Sequence, residues 1–378
     1  MMIHDSNPDS NLNTQPIIPD EVPMLSDHLA SRSKIPRPGP TILGSFLWCL
    51  SLWGVMIVSM IGVSVIDLMM KKNADPQFMD RVSQELRAYQ ETQQMGPLLS
   101  RSLGLGFLGA GLATLLYTLL IVWKQVGTEW TRKLAIRVPR LDHLILVLIA
   151  LPALMFLHGA AHHLANQLFG VDAKEADMTG MLTSIVEPWP RWLTILVIGV
   201  APGLSEELWC RGFLGRGLLA RYGWITGVLL TSLFFGMLHL SPPYALGTAV
   251  MGACLHFTYV TTRSLWVPIL LHTLNNSLTV LVAVGDIPLQ DVDPDQVASL
   301  PLYLASGFLL LVVGWTLFQS RGYLQNELGE RVQPPFPTVA IPSERSGLKI
   351  VHEAISLWGV GMVVVAAVLF GWSIYETM

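Results

Sequence analysis

Charge is what this chain has least of. Asp, Glu, Lys and Arg make up 13% of its 378 residues, while 52% are hydrophobic and the mean hydropathy is +0.50. A soluble domain carries about 25% charged residues. The solvated coat that a water-facing globule of this length requires is therefore missing, and most of the surface must meet lipid. Neither sign of charge dominates. A balance of 27 acidic against 23 basic residues leaves a net charge of -4, which gives no electrostatic reason to expect a nucleic-acid partner. Cysteine is scarce too. Cys49, Cys210 and Cys254 stand far apart, in or beside apolar segments, which excludes a disulfide framework or a CxxC metal site and makes them small buried apolar residues. No internal repeat and no barrel-type alternation of apolar and polar residues occurs.

Long apolar runs are what is present. A spanning helix needs about 20 mainly apolar residues to cross about 30 Å of hydrocarbon. Nine segments approach that length, near 42–70, 103–123, 143–166, 192–214, 223–240, 244–261, 265–285, 301–319 and 352–374. The expected fold is all-α, a polytopic transmembrane helical bundle of about nine spans. Residues 1–40 are polar and Pro-rich, lack a secretory signal, and read as a disordered cytoplasmic tail. Residues 41–190 read as N-terminal transmembrane helices with an amphipathic loop at 71–102. Residues 191–285 form a core set of helices holding most of the chemistry-bearing side chains. Residues 286–378 read as C-terminal transmembrane helices with a polar loop at 320–350.

Basic residues orient such a bundle, because Lys and Arg are retained on the cytoplasmic side. Lys124, Arg132, Lys133, Arg137 and Arg140 mark one inner loop, Arg216 and Arg221 a second, Arg263 a third, and Arg321, Arg331, Arg345 and Lys349 a fourth. The loop at 286–300 holds Asp286, Asp291, Asp293 and Asp295 without a Lys or Arg, as an outer loop would. The N-terminus is then cytoplasmic. One loop dissents: residues 71–102 fall on the outer side yet hold Lys71, Lys72, Arg81, Arg87 and Arg101.

Ionisable groups inside a span cost at least ~2.5–3.5 kcal/mol at the helix centre, so each is a functional candidate. APGLSEELWCRGF supplies Glu206, Glu207 and Arg211. Glu207 and Arg211 are four residues apart on one helix face and can neutralise each other, while Glu206 points about 100° away and must find its partner on another helix. FFGMLHLSPP ends its span with His239, one turn after Phe235; LHTLNNSLTV places His272 and Asn276 one turn apart. Singly, each of these residues is explained as a helix-end ion pair or as interhelical hydrogen bonding. Jointly, a carboxylate and an imidazole can activate water, and a second imidazole and an amide can stabilise an oxyanion. Alternatively Glu206, His239 and His272 could bind a divalent metal such as zinc. The residues leave the two mechanisms open.

The order Glu206-Glu207-x-x-x-Arg211, Phe235-x-x-x-His239, His272-x-x-x-Asn276 on successive spans resembles the three-motif signature of the CAAX protease and bacteriocin-processing family (CPBP or Abi), which includes the eukaryotic Ras-converting prenyl protease. The resemblance covers residues 190–285. It implies an intramembrane endopeptidase, often called a metalloprotease, acting on a membrane-associated or lipidated peptide substrate in the bilayer of a bacterial inner membrane. It further implies that Glu206 and His239 activate water, that His272 and Asn276 hold the oxyanion, and that Glu207 and Arg211 support the site. Trp209 stands where an aliphatic residue or Phe is common in the family. Family members that serve as scaffolds or immunity proteins supply a non-catalytic alternative, and a proton-coupled transporter supplies another. Other intramembrane proteases fit less well. There is no HExxH and no Gly-x-Gly-Asp, and Ser205 lacks the following Gly of the rhomboid type.

LHGAAHHLANQ holds His158, His162 and His163. His158 and His162, one turn apart, could bind metal or line an entrance, but read first as a polar helix end hydrogen-bonded to its neighbours. Asp67, His352 and Glu353 sit near span ends, where snorkelling suffices. Straight, alternating spans would put Glu206, His239 and His272 at different depths. A shared site therefore requires a long helix over about 191–221 and a backbone break at Ser241-Pro242-Pro243 enclosed by protein.

Overall fold

The computed structural model describes residues 38–92, 95–171, 178–239, 241–287 and 299–377. The tail up to residue 37 lies outside these, as do Asp291, Asp293 and Asp295 of the acidic loop.

Eleven principal helices follow one another among the described residues: α1 (Ile42–Ala74), α2 (Phe78–Thr92), α3 (Pro97–Val126), α4 (Leu141–Phe169), α5 (Met178–Val186), α6 (Arg191–Tyr222), α7 (Trp224–Met237), α8 (Pro242–Thr262), α9 (Trp266–Ala283), α10 (Leu300–Gln319) and α11 (Leu357–Thr377). Seven of them, α1, α3, α4, α6, α9, α10 and α11, are long and apolar enough to cross a membrane. The architecture is an all-α polytopic bundle, but the expected nine spans reduce to seven. α7 has 14 residues and reaches only about 21 Å, short of the hydrocarbon thickness. α8 is long enough at 21 residues but too polar. It buries Thr248, His256, Thr258, Thr261 and Thr262, so its surface is matched to protein rather than to lipid.

α1 lies along α3, α7 folds back on α8, α8 packs on α4 and α9, and α10 pairs with α11. The break between α7 and α8 is covered by α1, where Trp53 donates its indole N–H to the carbonyl of Leu238 at 3.1 Å. That carbonyl has no helical partner, and Trp53 satisfies it inside the protein.

The basic loops meet at one end of the bundle. Arg137 donates to the carbonyls of Thr262 (2.8 Å) and Arg263 (2.7 Å) at the end of α8. Arg132 reaches the carbonyl of Ile341 at 2.8 Å, Arg263 that of Gly322 at 3.0 Å, and Arg221 that of Pro38 at 2.8 Å. The 320–350 segment is more than a polar loop. It forms a small antiparallel sheet, β1 (Gly322–Gln325), β2 (Arg331–Val332) and β3 (Lys349–His352), in the order β2-β1-β3. Its strands are too short to show in the sequence pattern. His352, read above as part of the last span, belongs to β3, and that span begins only at Leu357.

The dissenting loop holds α2. Part of its positive charge is compensated internally, Lys71 by Asp67 at 2.6 Å and Arg81 by Asp75. Glu85 accepts from the backbone N–H groups of Leu98 and Leu99 at 3.0–3.2 Å, capping the start of α3.

Candidate active site

α6 carries the acidic pair and is irregular on both sides of it. Ile195–Val200 and Leu208–Leu214 are wound as π-helix, with regular α-helix at Ala201–Glu207 between them. Such wide turns are uncommon and are found frequently at functional sites. They re-aim the side chains after Glu207 without interrupting the helix, which runs unbroken from Arg191 to Tyr222.

Two glycines seat α6 directly against α9. A Cβ on Gly203 would stand 3.2 Å from the backbone nitrogen of Thr273 and 3.3 Å from the carbonyl of Ile269; one on Gly199 would stand 3.2 Å from the carbonyl of Thr273. Gly199-x-x-x-Gly203 is the small-residue spacing that lets membrane helices approach closely. Glu207 lies one turn beyond Gly203 on the same face, and His272 adjoins Thr273. The glycine contact thereby brings this carboxylate to this imidazole. Reading the sequence for ionisable groups alone misses the glycines, although their spacing was visible in it.

At that contact Oε1 of Glu207 accepts hydrogen bonds from Nη1 of Arg211 (2.7 Å) and Nδ1 of His272 (2.9 Å). Glu207 and Arg211 are 0% exposed and His272 is 3% exposed. The guanidinium also donates Nη2 to the carbonyl of Gly252 in α8 at 2.9 Å and lies over the Phe235 ring, 4.2 Å from its centroid. Phe235 in turn holds His239 and His272 by edge contacts, with centroids 5.6 and 5.5 Å away. One arginine thus ties α6, α7 and α8 together, and its charge is compensated by the carboxylate it grips.

Glu206 is not part of this clamp. It is half-buried, and its Oε2 is buried without a hydrogen-bond partner. It is the carboxylate that acts electrostatically on His239, whose Nδ1 lies 3.3 Å from the Phe235 carbonyl. Asn276 donates Nδ2 to the carbonyl of Ile198 at 3.2 Å and accepts from Nδ2 of Asn275 at 3.1 Å. Its amide is thereby oriented with one N–H to spare. Asn275 is buried and was not singled out from the sequence, since nothing in the pattern distinguishes it from its neighbour.

Glu206, His239 and His272, the set a divalent ion would need, are not gathered as ligands. Among the described residues, no three His, Cys, Asp or Glu side chains are placed to hold an ion, and Nδ1 of His272 is taken by Glu207.

Tyr244 of α8 stacks near His239 with centroids 6.1 Å apart, and its other neighbour is His162 of α4 at 3.9 Å. The α4 histidines therefore border the site. His158 is an electrostatic neighbour of His162, His239 and His272.

Residues 188–278 match the family described as type II CAAX prenyl endopeptidase Rce1-like. This segment is similar to that family. It contains all three motifs and every helix of the clamp. Among curated proteins the chain is similar to "Putative membrane peptidase YdiL" of Bacillus subtilis (strain 168), 24% identical over 155 residues, which is 41% of this chain and 62% of that protein. The chain thus matches less than two thirds of that relative's length. No solved structure matches the chain. The matched segment begins just before α6 and ends within α9, so α1 to α5, α10 and α11 lie outside it.

Proposed function

We propose that this protein is an intramembrane endopeptidase that hydrolyses a peptide bond of a membrane-associated or lipidated substrate, in the inner membrane of a bacterium with its N-terminus in the cytoplasm. The observation that carries the proposal is the division of labour between two adjacent carboxylates. Glu207 is clamped through Oε1 by Arg211 and His272, while Glu206 takes no part in an ion pair among the described residues and acts on His239.

In the proposed reaction a water held between Glu206 and His239 gives a proton to Glu206 as its oxygen attacks the peptide carbonyl carbon. The carbonyl oxygen becomes an oxyanion. It accepts from the spare N–H of Asn276 and from His272, whose ring is held in orientation by Glu207 at Nδ1. The C–N bond then breaks, and the proton held by Glu206 passes to the leaving amine. Arg211 and Phe235 do no chemistry. They fix the carboxylate and imidazoles in place, which is how fixed geometry lowers a barrier.

The test is cleavage of membrane-associated peptides in cells and in liposomes. Glu206→Gln and His239→Ala are each expected to lower the rate by about 10²–10⁴-fold, with insertion and thermal stability unchanged. Retention of the cellular phenotype by both variants would instead identify a non-catalytic scaffold. Proton-coupled flux without cleavage would identify a transporter.

A further inference from the structure

The proposed chemistry does not use His158 and His162, and their surroundings are unusual. They lie four residues apart on the face of α4 that packs on α8, with ring centroids 5.0 Å apart and planes inclined at 59°. The Nε2 atoms of both are buried and have no hydrogen-bond partner. This overturns the reading of the pair as a helix end satisfied by its neighbours. The adjacent His163 behaves in the ordinary way, its Nε2 lying 2.9 Å from the side-chain amide of Gln167.

We propose that His158 and His162 form a two-imidazole chelate for a late first-row transition cation of the Zn²⁺, Co²⁺, Ni²⁺ or Cu²⁺ class. Imidazole suits these metals, and Mg²⁺ or Ca²⁺ would require oxygen ligands. Geometry supports the pairing. A metal–nitrogen bond of about 2.0–2.1 Å places each ring centroid about 3.2 Å from the ion, and a tetrahedral angle then separates the two centroids by about 5.2 Å. The observed separation is 5.0 Å.

The ring of His162 is held in orientation from two sides. The Tyr244 ring packs 3.9 Å away. Gly247 provides the space, since a Cβ there would lie 2.9–3.1 Å from the His162 ring atoms. Such packing around a ligand fixes its ring as outer-shell contacts do in metal sites. Water completes the coordination shell, because no third His, Cys, Asp or Glu among the described residues is placed to join. His239, in the turn after α7, is an electrostatic neighbour of both rings. The chelate is separate from the set Glu206, His239 and His272, and does not depend on the protein being a peptidase.

Full-length protein in detergent, stripped with EDTA and titrated with Co²⁺, reads the site directly by visible absorption of the bound ion. One Co²⁺ per chain is expected for the wild type, for His163→Ala and for Glu206→Gln, and none for His158→Gln or His162→Gln. Zn²⁺ should raise the melting temperature of the wild type by mass action and leave that of the two Gln variants unmoved. This second readout shows at the same time that those variants are folded. Absence of uptake by the wild type, uptake undiminished in His158→Gln and His162→Gln, or loss of uptake in Glu206→Gln would each overturn the proposal. Peptide cleavage is not read, so these outcomes leave the proposed peptidase function where it stood.

Discussion

Nδ1 of His272 lies 2.9 Å from Oε1 of Glu207, across the α6–α9 contact. In the proposed reaction the second acidic residue of the pair is therefore a positioning group, which holds the imidazole of His272 and is itself held by Arg211.

Because the clamp is buried on every side, removing one member strands the others. Arg211→Met leaves the Glu207 carboxylate uncompensated. It is expected to destabilise the protein by about 3–5 kcal/mol, read as a large fall in melting temperature in detergent. Glu207→Gln should be nearly as damaging. Glu206→Gln removes no ion pair and should melt like the wild type. Equal stability of Arg211→Met and wild type would mean that the buried pair does not hold the helices.

Asn276→Ala removes the N–H assigned to the oxyanion, with an expected loss of about 10²–10³ in kcat and little change in KM. Asn275→Ala removes only the group that orients it and should cost less. A larger effect from Asn275 than from Asn276 would exchange their roles.

Gly203→Val places a branched side chain against the backbone of Thr273 and Ile269. Overpacking of this kind costs about 1–3 kcal/mol, and here it also moves His272 away from Glu207. Activity should fall further than stability does. Gly54→Ala, in open space on α1, serves as the control and should change neither.

At the basic end of the bundle, His352 of β3 is held neutral. Burial pushes its pKa down to about 4, and the positive charge of Arg137 adds to this, with smaller effects from His143 and Arg140. Nη2 of Arg137 lies 2.9 Å from Nε2 of His352, a contact that needs the unprotonated nitrogen. Unfolded, the same imidazole titrates near 6.5. Between these values the unfolded chain binds more protons, so stability is fully present above about pH 6.5 and declines as pH falls toward about 4. His352→Gln should flatten this dependence in thermal melts of the full-length protein. An unchanged pH profile in that variant would place the titrating group elsewhere.

How much of this was legible beforehand differs by residue. The i,i+4 relation of Glu207 to Arg211 follows from helical geometry, and the pair is found at 2.7 Å. The partner of Glu207 across the helices, His272, does not follow from its own motif. It is set by Gly199 and Gly203, whose function is to be absent as side chains. α7 and α8 were readable as helices but not as non-spanning ones. Their hydrophobicity reports burial in general, and protein and lipid are both apolar surroundings. β1 and β3 are four residues each, too short for periodicity to reveal, and exist because loops distant in the chain meet at one end of the bundle.

Composition and the long apolar runs together determined that this is a membrane-embedded helical bundle, because a chain with so few charges must cover its surface with lipid and runs of about 20 apolar residues cross lipid as helices. Motif spacing alone determined which residues share a helix face. Only the tertiary structure decided which carboxylate is clamped and which is left unpartnered, and that His158 and His162 border the site. Those outcomes depend on distances between helices, which close packing of small residues sets and which no periodicity along a single helix encodes.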